Sequence, residues 1–148
     1  VLEDTLIGFR LEAWGRSPRA RLVKHPRFYL FDTGVTNALT HRLTAPVDPI
    51  ARGRLFEQWV VLECLRLIDY LDIEARCFYW RTNQGAEVDL VLSLPDVTLW
   101  AIEIKRSSAP KLERGFMLLV KTFGLPGNSL FILAAKNFLS DGKLKPLA

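Results

Sequence analysis

The chain of 148 residues has few of the side chains that hold zinc or form disulfide frameworks. It contains two cysteines, Cys64 and Cys77, which lack CxxC spacing, and two histidines, His25 and His41. Zinc sites and disulfide-rich folds need more of these residues at closer spacing. The sequence therefore argues against both.

Long apolar runs, a signal peptide and a phosphate-binding loop are also absent from the sequence. Charges interrupt every apolar run before the ~18 residues that a membrane span requires, and no signal-peptide pattern opens the chain. We therefore expect a cytoplasmic protein without a membrane segment. Because no GxxxxGK[ST] motif occurs, any ATPase activity is expected outside this chain. The start at Val1, in place of Met, leads us to expect a piece of a longer protein.

The composition is that of a folded domain: 49% of the residues are hydrophobic, 24% are charged, and no low-complexity segment or clear repeat occurs. At this length the chain is expected to form one domain with a core of its own. The net charge of +4 fits a polyanionic partner and also fits many unrelated proteins, so it does not decide between them.

The first third of the chain is expected to form an extension rich in strands. Strands are predicted over Leu6–Ala13 and Arg21–Phe31, and a short helix over Val35–His41. The stretch Arg42–Gly53 contains two prolines and is predicted to be an exposed loop.

The clearest helix pattern covers Arg54–Leu71. At about 100° per residue its apolar stripe consists of Val60, Val61, Cys64, Leu65, Leu67, Ile68 and Leu71. The polar side is predicted to carry Gln58, Glu63, Arg66 and Asp69. Glu57 is the exception, because it falls within the apolar stripe. A carboxylate that faces the core needs a partner.

Three strands are predicted next, over Cys77–Thr82, Glu87–Leu94 and Thr98–Lys105. An amphipathic helix over residues 109–124 and a buried strand over Asn128–Ala135 follow.

The predicted order from Arg54 is therefore helix, three strands, helix, strand, which is an α/β fold with a mixed central sheet flanked by helices. We expect one domain over residues 1–148. It divides into an N-terminal extension at 1–53, a core at 54–135 and a tail at 136–148.

The two strands of the hairpin Glu87–Lys105 carry charges within apolar sequence. A turn centred near Asp96 pairs Asp89 with Glu103 and Glu87 with Lys105. The same register pairs Leu90 with Ile102, and Val88 with Ile104, on one apolar face.

Two carboxylates on directly opposed residues lie close enough to share a cation, and without one they would repel each other. Oxygen ligands favour a hard cation, so we expect Mg²⁺ or Mn²⁺ at Asp89 and Glu103. Lys105, two residues after Glu103 on the same face, can orient and help deprotonate a water or stabilise a phosphate. Glu57, if it projects onto this face, joins the site.

The segments "EVDLVL" and "AIEIK", preceded by a helix with an inward Glu, resemble the PD-(D/E)xK, or restriction-endonuclease-like, nuclease superfamily. The resemblance implies a core of helix, three antiparallel strands, helix and strand. It assigns Asp89 and Glu103 as metal-binding acids, Lys105 as the catalytic lysine and Glu57 as the first-helix acid, with the Ile104 carbonyl as a further ligand. Val88 stands where the name-giving pattern has proline, and the literal pair Pro95–Asp96 belongs to the turn.

The segments "RLVKHPRFYLFDTGV", "GRLFEQWVVLE" and "FYWRTNQGAEVDLVL" resemble the nuclease-like C-terminal domain of uncharacterised bacterial and archaeal AAA-type ATPases. This resemblance covers nearly the whole chain. It implies an ATPase and a winged-helix domain upstream as partners in the same polypeptide.

Nucleic-acid contacts are expected from basic residues near the site, namely Arg81, Lys111, Arg114 and Lys121. For Arg81 a structural ion pair is the more ordinary role. A second basic cluster, interleaved with Trp14 and Phe28, could grip a backbone or form a solvated face, and it comprises Arg10, Arg16, Arg19, Arg21, Lys24 and Arg27. Glu87 is expected to be a rim residue or a salt-bridge partner of Lys105.

The sequence thus leads to the hypothesis of a Mg²⁺-dependent (or Mn²⁺-dependent) hydrolase that cleaves DNA phosphodiester bonds. The alternative is a catalytically inactive module of the same ATPase that binds nucleic acid or protein. The sequence leaves substrate strandedness, sequence preference and oligomeric state open.

Overall fold

The computed structural model describes residues 3–15, 25–44, 46, 48–96, 98–105, 114–126 and 129–134. Within these ranges six strands and three helices follow one another as β1 Gly8–Ala13, β2 Arg27–Leu30, α1 Thr33–Leu39, α2 Pro49–Tyr70, β3 Arg76–Arg81, β4 Glu87–Ser93, β5 Leu99–Lys105, α3 Arg114–Phe123 and β6 Leu130–Ala134. The predicted α/β class and the order helix, three strands, helix, strand are confirmed.

All six strands join one mixed sheet in the order β2-β1-β3-β4-β5-β6. Strands β1 and β2 pair antiparallel, as do β3 with β4 and β4 with β5, whereas β1–β3 and β5–β6 are parallel. The strands of the N-terminal extension are therefore part of the same sheet as the predicted core. Among the described residues, no helix is both long and apolar enough to cross a membrane.

The two faces of the sheet are covered by different helices. On the α2 side the buried residues are Leu11, Ala13, Tyr29, Val60, Val61, Tyr79, Leu90, Leu92, Ile102 and Ile104. On the α3 side they are Phe78, Trp80, Val88, Val91, Ala101, Phe116 and Leu119. Because apolar side chains leave water on both faces, the central strands β4 and β5 are anchored from two sides.

Helix α2 begins at Pro49, five residues before the predicted start. The Asp48 side chain accepts hydrogen bonds from the N–H groups of Ile50 and Ala51, both at 2.9 Å, and proline occupies the first helical position. Proline is well suited to that position because it lacks only an N–H that the helix would leave unpaired. The prediction of a loop over Arg42–Gly53 was therefore wrong for its last five residues.

Gln58 lies on the α1 side of α2 and is buried, although the helical pattern predicts it on the polar face. Its amide donates to the Leu30 carbonyl at 2.9 Å and to Thr36 Oγ1 at 2.8 Å. The prediction for Gln58 is wrong because α1 packs on α2 at this point. The hydrophobic pattern of one helix carries no information about its neighbours. Leu67 and Leu71, predicted in the apolar stripe, are mostly exposed, so the stripe is not covered at the end of α2.

Strand β4 contains a bulge that the sequence pattern does not predict. Along β3 and β4, Phe78 pairs with Val91 but Trp80 pairs with Val88, so β4 has one extra residue in this interval. A bulge changes which face the next residues occupy. Val88 consequently packs on the α3 side, away from Leu90 and Leu92, and the predicted shared face of Val88 and Ile104 is wrong.

Other boundaries shift by a few residues. Strand β2 begins at Arg27, and α1 begins two residues before the predicted Val35. Several predictions lie outside the described residues: the tail 136–148, Lys111, and the basic residues Arg16, Arg19, Arg21 and Lys24.

Candidate active site

Asp89 lies where β4 and β5 separate. The strands pair from Ser93 with Leu99 up to Leu90 with Ile102, which confirms the predicted register over this interval. Asp89 is the next residue of β4 beyond this pairing, and its Oδ2 accepts a hydrogen bond from the Ile104 N–H of β5 at 2.9 Å. Beyond Leu90, β4 therefore contacts β5 here through the Asp89 carboxylate.

The Asp89 carboxylate is partly buried and accepts a backbone hydrogen bond, but it forms no ion pair with the residues that the structure describes. Burial raises the pKa of Asp89 to about 6. The Ile104 N–H lowers this pKa, nearby Glu57 raises it, and the positive charges of Arg27 and Lys105 lower it. A charged Asp89 would therefore be stabilised by an additional cation.

Glu103 and Lys105 form an ion pair on β5. Lys105 Nζ lies 2.8 Å from Glu103 Oε1, and the Glu103 side chain is almost completely buried. Ile104, between them, buries its side chain on the α2 side. The positive charge of Lys105 therefore acts on both Glu103 and Asp89.

Glu57 faces the sheet, as its place in the helical stripe predicts, and it meets protein partners there. Its Oε1 accepts hydrogen bonds from Arg27 Nη1 at 2.7 Å and from the Tyr29 hydroxyl at 2.8 Å. Burial and the Glu57 charge raise the pKa of Tyr29, so the hydroxyl remains a hydrogen-bond donor. The partner that an inward carboxylate needs is therefore supplied by β2.

Arg27 connects this helix to β4. Its Nη2 forms an ion pair with Glu87 Oε1, and its guanidinium lies 4.8 Å from the centre of the Tyr79 ring. Arg81 Nε also approaches Glu87, at 3.4 Å. Glu87 thus pairs with two arginines, whereas Lys105 pairs with Glu103, so of the two roles expected for Glu87 the pair with Lys105 is not the one observed. The structural ion pair considered for Arg81 is observed.

Sequence reasoning missed Arg27 and Tyr29 as members of the site. The signal that could have found them is strand alternation, since Arg27 and Tyr29 share one face of "RFYL" while Phe28 and Leu30 share the other. Both side chains can donate a hydrogen bond to a carboxylate that faces them, as Glu57 does. Arg27 was instead counted only in a basic cluster.

Asp89 and Glu103 both offer carboxylate oxygens, which are the ligand atoms that a hard divalent cation such as Mg²⁺ or Mn²⁺ prefers. Glu103 is buried and Asp89 is partly buried, on the paired strands β5 and β4, and Asp89 forms no ion pair with the residues that the structure describes. Glu57 accepts its hydrogen bonds from Arg27 and Tyr29 through Oε1, and its predicted role as a further metal ligand stays a prediction. In the described ranges, no group of three or more His, Cys, Asp or Glu side chains is placed to hold a metal ion.

A cleft of about 490 Å³ lies beside this site, between the β3–β4 turn and α3. Its walls include Gln84, Glu87 and Arg114. Arg114 and Lys121 are exposed on α3, and Arg81 is exposed at the end of β3. Three of the basic residues predicted to contact nucleic acid therefore reach solvent.

Comparisons with known proteins identify relatives without a described activity. The uncharacterized proteins Rv2008c of Mycobacterium tuberculosis and Mb2031c of Mycobacterium bovis are each 36% identical to this chain over 119 residues. The match covers 77% of this chain and 25% of each relative, so the chain spans about a quarter of their length. No solved structure matches the chain.

A family model matches residues 52–145, which include most of α2, the hairpin with Asp89 and Glu103, and α3. Its description is "Domain of unknown function (DUF4143)". The match covers well over half of the sequence, and the chain belongs to the DUF4143 family.

Proposed function

We propose that this chain is a PD-(D/E)xK-type nuclease domain that hydrolyses phosphodiester bonds of DNA with Mg²⁺ or Mn²⁺. Asp89 and Glu103 would hold the cation, and Lys105 would act on the water and the phosphate. The observation that carries the proposal is the position of Asp89. It is a partly buried carboxylate without an ion pair among the described residues, beside the strand that bears the Glu103–Lys105 pair.

Each of these residues has a role that follows from its surroundings. A bound divalent cation would supply positive charge to the developing negative charge on the phosphate. Lys105, at 2.8 Å from Glu103, can exchange that ion pair for contact with a water or a phosphate oxygen. Asp89 keeps its orientation through the Ile104 N–H. Glu57 supports the site indirectly, by holding Arg27 beside it.

DNA is the proposed substrate because basic side chains border the site. Arg114 and Lys121 are seven residues apart on α3, which places them on similar sides of the helix about 10 Å apart along its axis. Exposed cations at such spacing bind a phosphate backbone through counterion release. We further propose that the chain works as the C-terminal module of a longer AAA-type ATPase, in line with the greater length of its relatives.

The test is cleavage of plasmid and oligonucleotide DNA by the purified chain with Mg²⁺ or Mn²⁺. The expected result is cleavage that EDTA abolishes and that Asp89→Ala and Lys105→Ala each reduce by roughly 10²-fold or more. Asp96→Ala is the matched control. Asp96 caps the β4–β5 turn, with Thr98 N–H at 3.0 Å, and belongs to the literal Pro-Asp pair. Cleavage that persists equally in all variants would come from a contaminant and would refute the proposal.

A second candidate function is a catalytically inactive module that binds nucleic acid or protein. Two ion pairs favour it, because Glu57 is held by Arg27 and Glu103 by Lys105, so these carboxylates are already neutralised without metal. Calorimetry with Mn²⁺, alone and with an uncleavable DNA analogue, separates the candidates. DNA binding without metal binding in either titration would support the inactive module.

A further inference from the structure

We infer that the cleft between the β3–β4 turn and α3 binds one unpaired nucleobase of the DNA. This inference deepens the proposed function and rests on its choice of DNA as the substrate. It assigns Gln84 and Leu118 as residues that contact the base, and Arg114 as the residue that contacts the phosphate of the same nucleotide.

The cleft has the size and the walls of a site for a small ring system. Its volume is about 490 Å³, which lies within the range of about 300–1,000 Å³ that is usual for ligand sites. Leu118 of α3 supplies an apolar part of the wall, and Gln84 of the turn supplies an amide that can donate and accept hydrogen bonds. A nucleobase combines an apolar face with a polar edge, and sites for unpaired bases contact both.

The two sides of the cleft are held together by close contacts of the main chain. Gly115 of α3 lies directly against the main chain of Glu87, since a Cβ added there would overlap it. The turn is closed by a hydrogen bond from the Thr82 N–H to the Ala86 carbonyl at 2.7 Å and by one from the Ala86 N–H to Thr82 Oγ1 at 3.0 Å. The cleft is therefore formed before DNA binds, which lowers the entropy cost of binding.

One side of α3 carries both cationic and apolar residues. Arg114, Leu118 and Lys121 lie at positions i, i+4 and i+7, so they share one side of the helix. All three are exposed, with 37% of Leu118 accessible to solvent. Arg114 and Leu118 line the cleft, and Lys121 lies about one turn beyond. An apolar side chain between two cations matches a nucleic-acid strand, in which bases alternate with phosphates.

The acidic residue in the cleft wall is paired within the protein. Glu87 Oε1 forms an ion pair with Arg27, and Glu87 Oε2 lies 3.4 Å from Arg81 Nε. Because each oxygen of this carboxylate faces a guanidinium, its repulsion of a phosphate is reduced. Arg114 adds a positive charge to the same cleft. A nucleotide whose base enters the cleft would therefore bring its phosphate to a cation.

The experiment compares the binding of three DNA duplexes in EDTA, so that the result does not depend on the proposed metal site. The first is fully paired, the second contains one extra, unpaired 2-aminopurine in one strand, and the third contains an extra abasic site there. Opening a base pair costs free energy, whereas an extra base can enter the cleft without that cost. We expect the second duplex to bind at least about 10-fold more tightly than the other two, as measured by fluorescence anisotropy.

The fluorescence of 2-aminopurine reports where the base goes, because stacking between neighbouring bases quenches it. We expect this fluorescence to rise when the chain binds the second duplex. Equal Kd values for the three duplexes, or tighter binding without a rise in fluorescence, would overturn the inference. The duplex with the abasic site excludes the alternative that the chain recognises only a bend in the DNA.

Four variants at exposed positions test which residues hold the base, with circular dichroism to verify folding. Leu118→Ala and Gln84→Ala should each reduce the preference for the extra base to less than about 3-fold, while the Kd for paired DNA changes by less than about 2-fold. Leu67→Ala and Asn83→Ala are the matched controls and should keep the preference. Leu67 is an exposed leucine of α2, and Asn83 adjoins Gln84 but is not part of the cleft wall. A preference that persists in both cleft variants, or that falls equally in the controls, would overturn the inference.

Two outcomes separate this inference from the proposed function. If the chain prefers the extra base but cleaves no DNA with Mg²⁺ or Mn²⁺, the nuclease proposal fails, and the result supports the cleft as the base site of an inactive DNA-binding module. If cleavage depends on the metal but the three duplexes bind equally, the nuclease proposal stands and the inference is overturned.

Discussion

At the scale of single residues, the chain keeps Asp89 in an environment that disfavours its charge. Burial raises its pKa to about 6, and the hydrogen bond from the Ile104 N–H only partly offsets this effect. Such a carboxylate reduces stability unless a proton or a cation neutralises it. This combination is typical of functional positions, where binding requirements override stability.

The first prediction concerns the pH dependence of stability in EDTA. Asp89 binds a proton more readily in the native state, at a pKa of about 6, than at its ordinary value of 3.8. The free energy of unfolding should therefore fall as pH rises from about 4 to about 6, by up to about 3 kcal/mol from this group. Asp89→Asn should lack this fall and be more stable above pH 6. Urea unfolding at pH 4.5 to 8 gives the free energy of unfolding of both proteins. The prediction is contradicted if this free energy changes with pH in the same way in both.

The second prediction concerns the two thiols. Burial raises the pKa of Cys64 to about 11 and that of Cys77 to about 12, so both are protonated near neutral pH. Because the thiolate is the reactive form, alkylation by iodoacetamide at pH 8 should be slow in the native chain and fast in urea. Mass spectrometry after timed quenching measures both rates. Equal rates in the two conditions would mean that the thiols are exposed.

At the scale of elements, the packing of α3 on β4 depends on the absence of a side chain at one position. A Cβ added at Gly115 would overlap the main chain of Glu87, whereas a Cβ at Gly53 in α2 would meet no atom within 4 Å. The backbone of Glu87, two residues before Asp89 on β4, is therefore in direct contact with α3. The helix that carries Arg114 and Lys121 is positioned by the same contact.

The third prediction compares these two glycines. Gly115→Ala should lower the free energy of unfolding by about 1–3 kcal/mol, because the helix must move away from β4. Gly53→Ala should raise it by about 0.5–1 kcal/mol, because alanine favours the helix and has space. Urea unfolding measures both variants. Similar effects of the same sign would show that α3 does not contact β4 as described.

The sequence could predict the hairpin register but not the bulge within it. Alternation and the Pro95–Asp96 turn determine the pairing of Leu90 with Ile102. The extra residue in β4 depends on its other neighbour, β3, and "EVDLVL" alternates equally well without a bulge. The partners of Glu57 were missed for a similar reason, since Arg27 lies thirty residues away on another strand, and only the folded sheet brings the two together.

At the scale of the whole molecule, positive charge is distributed around the open end of the β4–β5 hairpin. Arg81 is exposed at the end of β3, and Arg114 and Lys121 are exposed on α3, with Arg114 in the wall of the cleft beside Glu87. Arg27 pairs with Glu57 and Glu87, and Lys105 pairs with Glu103. The exposed Arg114 and Lys121 therefore add positive charge on the side from which a polyanion would approach. The net charge of +4 has the same sign.

The fourth prediction follows from this distribution and concerns the binding of DNA in Ca²⁺, which can replace Mg²⁺ as a hard cation. Arg114→Gln and Lys121→Gln should each weaken binding to all sequences alike and reduce the slope of log K against log salt by about 1. Arg66→Gln is the control, because Arg66 is exposed on α2 but binds Glu63 and the Phe31 carbonyl. Fluorescence anisotropy at 50 to 300 mM salt gives the slopes. A loss of affinity as large in Arg66→Gln as in the α3 variants would place the DNA elsewhere on the molecule, since phosphate contacts at α3 cannot depend on a cation held by α2.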